Sequence, residues 1–374
     1  MTDASGPPFR ADHVGSLLRP EPLLRARERF AAGEIDDAEL RGIEDEAIAD
    51  VVRLQADVGL STATDGEFRR ASWHMDFIYA IDGVTKVAGE NITVHFKNAD
   101  GSLDYTPAGL RVDGPLSIDE PIFGRDFDYL ASVVGPGQTA KLTIPSPSMV
   151  HYRGGAASID PAVYPDEDSF WDALSAAYAS QVRGIAERGC TYLQFDDTSL
   201  AYLNDPAQRA ELAEQGRDAE HLHERYIRQI NSALAGRPEG LTVTTHMCRG
   251  NFRSSWVAEG GYDFVAEALF GGLDVDGFFL EYDDARSGGF EPLRFVPPGK
   301  RVVLGLVTTK RPELERKDDL KRRIDEAARF VPLDQLALSG QCGFSSTVEG
   351  NALTRDEEIA KLALIVETAA EVWG

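Results

Sequence analysis

Cysteine is scarce in this chain, three residues in 374, and the count is odd. A disulfide framework is thereby excluded, and in a reducing compartment the thiols are left for a metal or for the core. Cationic side chains are few as well: 38 Lys plus Arg stand against 62 Asp plus Glu, a net charge of −24. Such a balance repels nucleic acid and anionic membrane surfaces. No run approaches the roughly 18 uninterrupted apolar residues of a membrane span. The opening MTDASGPPFRADH lacks the apolar segment of a secretion signal. These absences predict a cytoplasmic protein whose partners are small molecules or further copies of itself, as a homo-oligomer. Hydrophobic residues make up 43%, enough for a large core, and the length suits a single α/β barrel domain over residues 1–374.

Periodicity divides the chain into alternating strands and helices. Short β-branched or apolar runs occur at Arg10–Gly15, Leu60–Thr64, Ala140–Ile144, Tyr192–Phe195, Leu241–Thr245, Gly277–Leu280, Arg301–Val307 and Gln335–Leu338. Helical spacing and cap residues predict helices over Asp37–Val58, Asp166–Arg188, Asp218–Ala235, Val257–Phe270, Lys317–Phe330 and Arg355–Val372. Between about 83 and 137, pieces such as NITVHF and LRVDG are separated by Gly, Asn and Asp turns, which reads as a β-rich insertion. Eight strands mostly followed by helices indicate a (β/α)8 TIM barrel, with a doubly wound open sheet as the alternative.

In a barrel, residues just past the strands gather at one mouth. The stretch LTVTTHMCRGNF places His246 and Cys248 at the end of a strand, two residues apart and so on the same side. Glu281 ends the GFFL strand and Cys342 lies just past QLAL, so one close pair is joined by two distant single ligands. A His, two thiolates and a carboxylate suit zinc, and a site that only the folded barrel can assemble favours a catalytic metal. Cys190, at the start of a strand, belongs to the core at the opposite end. Ser16, Glu67, Asp196 and Asp197 should also reach the mouth.

THMCRGNF, together with Glu281 and the QCGF around Cys342, resembles the C-terminal catalytic barrel of cobalamin-independent methionine synthase. The resemblance runs from HVGS near the start to the last helix. It implies a catalytic Zn2+ on His246, Cys248, Glu281 and Cys342, and homocysteine recognition by Ser16 of HVGS, Glu67 of DGE and Asp196 of LQFDD. The implied activity is methyl transfer to that thiol from a donor such as 5-methyltetrahydrofolate. The chain departs from the family pattern at three places. VTTKRPE stands where a Tyr-Asp-Ile-His run supplies the histidine that protonates the leaving nitrogen, so His151 and His74 become the candidate catalytic acids. Asp197 replaces a glutamate, and Arg249 replaces a tyrosine after HMC.

The length matches short single-barrel relatives, a group that includes epoxyalkane:coenzyme M transferase. A second reading is therefore a zinc-dependent thiol transferase that opens an epoxide or uses another alkyl donor, with Arg69, Arg70 or Arg249 meeting a sulfonate. A third, of another class, is a non-catalytic zinc-binding barrel.

Overall fold

Helix caps and left-handed stops set the rhythm of the chain. In the computed structural model, which describes residues 6–88, 94–98, 101–105, 109–152 and 154–374, Asp36 caps the helix Asp37–Asp57 by accepting the Glu39 amide at 2.9 Å. Gly59, at φ +93°, then reverses the chain into strand β1 (Thr62–Ala63). Asp166 caps Glu167–Glu187 in the same way, and Thr354 with Glu357 forms a reciprocal capping box on Arg355–Trp373.

Antiparallel strands β2 (Asp82–Val87), β3 (Val94–Asn98), β4 (Gly101–Tyr105) and β5 (Gly109–Ser117) follow, with β2 paired to β5 and β3 to β4. Next come β6 (Thr139–Pro145), β7 (Tyr192–Asp197), β8 (Thr242–Met247), β9 (Gly277–Glu281), β10 (Arg301–Val307) and β11 (Leu336–Gly340). β1 and β6 to β11 form one parallel sheet in that order. β7, β9, β10 and β11 are buried at every residue, as expected where helices cover a parallel sheet.

Residues 10–12 act as the remaining stave. Ala11 bridges Leu338 in parallel, the Asp12 amide donates to Leu338 O at 3.0 Å, and the Leu338 amide donates to Arg10 O at 2.9 Å. On the other flank, Thr64 Oγ1 donates to Gly15 O at 2.6 Å. The chain is a (β/α)8 barrel with a β-rich insertion, as the spacing of its runs indicates.

Three details differ from the sequence reading. The insertion's strands span 82–117, and Gly124–Val133 is a helix; Asn91, Ile92 and Thr93 of NITVHF lie outside the described residues. The expected helix Val257–Phe270 is formed only from Ala266 to Gly272. Upstream of it the backbone turns to other loops: the Val257 and Ala258 amides both donate to Arg249 O, and the Gly260 amide, at φ +115°, donates to Arg286 O. The expected helix Asp218–Ala235 begins at Leu222, behind a separate helix Pro206–Glu214. No described helix is long and apolar enough to cross a membrane.

Candidate metal centre and barrel mouth

The parallel register delivers the mouth residues from one strand to the next. Asp196 of β7 lies opposite His246 of β8, and Glu281 of β9 opposite Gly305 of β10. A Cβ on Gly305 would meet Gln341 Cα at 2.7 Å and Leu280 O at 2.8 Å. Glycine there lets β10 and the segment after β11 close tightly, which brings Cys342 toward Glu281. Thr309 fixes the same segment, its amide and hydroxyl both donating to Gln341 Oε1 at 2.6 and 2.9 Å.

The result is a cluster in which one ligand atom from each of His246, Cys248, Glu281 and Cys342 lies within 4.8 Å of the others, all four residues buried. The Cys248 and Cys342 sulfurs are 3.5 Å apart. Neither ring nitrogen of His246 has a hydrogen-bond partner, an expensive arrangement for a buried imidazole unless something else occupies it. Glu281 Oε1 accepts the Arg249 amide at 3.0 Å. Two soft sulfurs, an imidazole and a carboxylate could therefore hold one metal ion, and the unpartnered imidazole fits that use.

Electrostatics here follow from burial and crowding. The contact from Cys248 holds the Cys342 thiol well below its usual range, helped by His246, and the reciprocal contact with burial pushes Cys248 well up. Burial alone would lower His246, but Cys342, Asp196 and Glu281 raise it on balance. Burial lifts Glu281 to about 7 against the pull of Lys310. Lys310 is itself buried and its Nζ has no hydrogen-bond partner. The sequence VTTKRPE offers no obvious proton donor, and the structure sets its Lys310 beside the four-residue cluster.

A cavity opens over the cluster, lined among others by Ser16, Glu67, His74, Asp196, His246, Cys248 and Cys342. Glu67 sits at φ +60°, a strained conformation for a non-glycine residue. Its Oε1 accepts Thr143 Oγ1 at 2.6 Å and faces Arg70 at 3.5 Å, while the buried Oε2 has no partner. Burial raises Glu67 and pushes Asp196 up to about 7, where His246 pulls the other way. Ser16 is buried under the Cys342 loop, where its Oγ accepts the Ser345 amide at 3.4 Å.

Some expected residues lie elsewhere. Asp197, one step along β7, does not line the cavity; its carboxylate accepts Ser148 Oγ at 2.6 Å, Ser199 Oγ at 2.9 Å and the Leu200 amide at 2.7 Å. His151 does not line it either. That ring lies against Trp171 at 4.8 Å, meets Tyr226 Oη at 3.0 Å, borders a separate cavity with Arg217, and is pushed down to about 3 by burial. Of the two histidines considered as acids, only His74 reaches the mouth, its ring 4.3 Å from Trp73. Arg69 is tied to Glu44, Asp45 and Asp126, and Arg249 to Glu281 O and the Tyr262 ring. Neither lines the cavity, nor does Arg70. Cys190 is core, as expected, and burial lifts its thiol to about 12.

Sequence reasoning missed the aromatic wall. Trp73, Phe96, Tyr105, Tyr202 and Phe252 line the cavity, with Phe252 5.4 Å from Phe96 and 4.7 Å from Tyr105. Phe96 and Tyr105 come from the β3–β4 hairpin, which is anchored to the loop after β8 by paired backbone bonds between Lys97 and Trp256 at 2.7 and 2.9 Å. Phe252 stood in the quoted motif, but nothing local signals that a hairpin from the insertion reaches it.

The family described as "Cobalamin-independent synthase, Catalytic domain" matches residues 156–371. An uncharacterized protein of Bacillus subtilis, YxjG, is 47% identical over 98% of this chain and 95% of its own length. The methionine synthase of Pyrococcus abyssi is 23% identical over 96% of this chain and 94% of its own. A crystal structure from Listeria monocytogenes, assigned as a vitamin-B12-independent methionine synthase, is 38% identical with a TM-score of 0.77, covering 98% of each chain. This chain belongs to the cobalamin-independent methionine synthase catalytic-domain family, a family of methyltransferases.

Proposed function

We propose that the protein is a zinc-dependent thiol S-methyltransferase that makes methionine from homocysteine and a methyl donor. The observation that carries this reading is the convergence of two thiols, an imidazole and a carboxylate at the base of a cavity that also holds an unpartnered carboxylate oxygen of Glu67. His246, Cys248, Glu281 and Cys342 would hold the zinc. When bound, that ion lowers the pKa of a thiol brought to it from about 8.5, so that the sulfur is a thiolate nucleophile at neutral pH.

The chain's own residues do the positioning. Glu67 and Asp196 hold the ammonium of the amino-acid substrate between them, and the turn at Ser16 receives its carboxylate. Trp73, Phe96, Tyr105 and Phe252 exclude water from the transfer and hold the donor against the sulfur. A sulfonate thiol would need a cation in the cavity. Among the described residues no Lys or Arg lines it, so the coenzyme M type of reading is not favoured.

The test is metal analysis with homocysteine calorimetry on wild type and Cys342→Ser. Wild type should carry about one zinc and release a proton on binding homocysteine, while Cys342→Ser stays folded and loses both. Wild type without zinc after careful preparation would sink the reading. A non-catalytic zinc barrel predicts instead a large fall in melting temperature on metal removal and no thiol binding.

A further inference from the structure

The lining of the mouth says something about the donor. Five aromatic residues, Trp73, Phe96, Tyr105, Tyr202 and Phe252, share it with the acidic Glu67 and Asp196 and the two thiols, and among the described residues no Lys or Arg side chain lines it. An aromatic wall attracts a positive ligand through its ring quadrupoles. Two of those rings exist only because the insertion docks on the loop after β8. Lys97 pairs backbone to backbone with Trp256, and Asn98 Nδ2 donates to Ser255 Oγ at 3.2 Å.

Of the titratable groups lining the cavity, His246, Cys248 and Cys342 belong to the ligand cluster, Glu67 and Asp196 are committed to an ammonium, and His74 lies beside Trp73 with its Nδ1 3.2 Å from Ser72 Oγ; Tyr105 and Tyr202 add phenols. The segment after β10 supplies structural hydrogen bonds from Thr309 and an ammonium from Lys310 that does not line the cavity. His74 is thus the one histidine of the lining outside the ligand cluster, and a donor that leaves without a proton makes no demand on it.

We propose that the methyl donor is a cationic onium compound, a methylsulfonium or a methylated quaternary amine, seated against Phe252, Phe96, Tyr105 and Trp73. The proposal rests on the thiol methyltransferase reading. In the transfer, the acceptor sulfur forms a new S–CH3 bond while the donor's bond from its onium atom to CH3 breaks. That bond's electron pair returns to the onium atom, which departs as an uncharged thioether or tertiary amine. The only proton released is the one the acceptor thiol lost on binding, and nothing need protonate the leaving group.

The experiment uses the full zinc-loaded chain. Calorimetry compares S-methylmethionine and glycine betaine with neutral analogues in which the onium centre is replaced by a thioether or by a tert-butyl carbon. Wild type should prefer the cation by roughly two- to thirty-fold, the range of a cation over aromatic faces. Phe252→Leu, which keeps the apolar volume, should lose most of that preference while homocysteine affinity stays unchanged. Methionine formation from each onium donor, and from 5-methyltetrahydrofolate, is measured alongside, and the better onium identifies its source. Equal binding of cation and neutral analogue, or turnover with the folate and neither onium, would overturn the proposal. Homocysteine binding with proton release but no onium preference defeats the donor assignment alone. An absence of homocysteine binding defeats the underlying reading, and the comparison of cation with neutral analogue still decides the character of the cavity.

Discussion

Replacing Lys141 with Met removes one cation from the barrel floor and keeps most of its stem. Lys141 has no exposed side-chain surface. Its Nζ donates to His13 O at 2.7 Å, lies 3.6 Å from Asp12 Oδ1, and sits 4.1 Å over the Phe279 ring and 4.8 Å over Tyr192. Removing one partner of a buried ion pair costs about 3–5 kcal/mol, because the other charge is stranded. Asp12 would still accept from the Phe9 amide at 3.1 Å, the His13 amide at 2.8 Å and Tyr192 Oη at 2.9 Å, so the lower end, about 3 kcal/mol, is expected. Unfolding entropy of about 2.1 cal/mol/K per residue, over 374 residues, gives about 0.8 kcal/mol/K and a fall in melting temperature of about 4 °C. Calorimetric melting checks the shift, and zinc content should not change, since Tyr192 precedes Asp196 on the same strand by about 13 Å. Adding Asp12→Asn should recover part of the loss. A Lys141→Met protein that melts with wild type would refute the claim that a charged pair holds the floor.

Two further outcomes follow from buried titratable groups. Glu358 is 1% exposed, accepts the Leu18 amide at 2.8 Å, and is pushed up to about 8 by burial. Its folded value lies above the unfolded one, so the stability it contributes is fully present below about pH 4.5 and lost as pH rises toward 8. Glu358→Gln should therefore gain on wild type across that window, by up to about 4 kcal/mol; denaturant midpoints at pH 5 and 8.5 measure it, and parallel pH profiles would contradict it. Cys190, with its thiol lifted to about 12 and its Sγ donating to Tyr192 O at 3.3 Å, should resist a disulfide reagent in the native state. Chelated native protein is expected to titrate two thiols, Cys248 and Cys342, with the third appearing only in denaturant. Three reactive thiols without denaturant would show that Cys190 is not core.

The barrel was legible because its signals are local. Asp36, Asp166 and Thr354 cap helices within their own first turns, and the eight apolar runs are short enough to be strands. The convergence of these four residues was legible because an alternating strand puts His246 and Cys248 on one side, and Glu281 and Cys342 each follow an apolar run directly. The same alternation separates Asp196 from Asp197, but the sequence does not say which of two adjacent aspartates faces inward. The register Asp196 to His246 decides it. The helix expected from Val257 failed because apolar spacing does not reveal where backbone amides find acceptors, and Arg249 O and Arg286 O took them. His151 could be placed past a strand end but not aimed; Trp171 and Tyr226 hold it away from the mouth.

The least legible part is the part that distinguishes this mouth. Strand ends supply polar ligands in any barrel of this kind, because that is where a parallel sheet leaves side chains free of packing. Aromatic rings at the rim must come from segments that cross the sequence, and here one backbone ladder between Lys97 and Trp256 brings Phe96 and Tyr105 to Phe252. The cluster at the base and the aromatic wall thus have separate structural origins. Substitutions in the hairpin should alter which donor is accepted without disturbing the cluster, whereas a Cβ on Gly343 would strike Ser16 Oγ at 1.9 Å and disturb acceptor seating and Cys342 together.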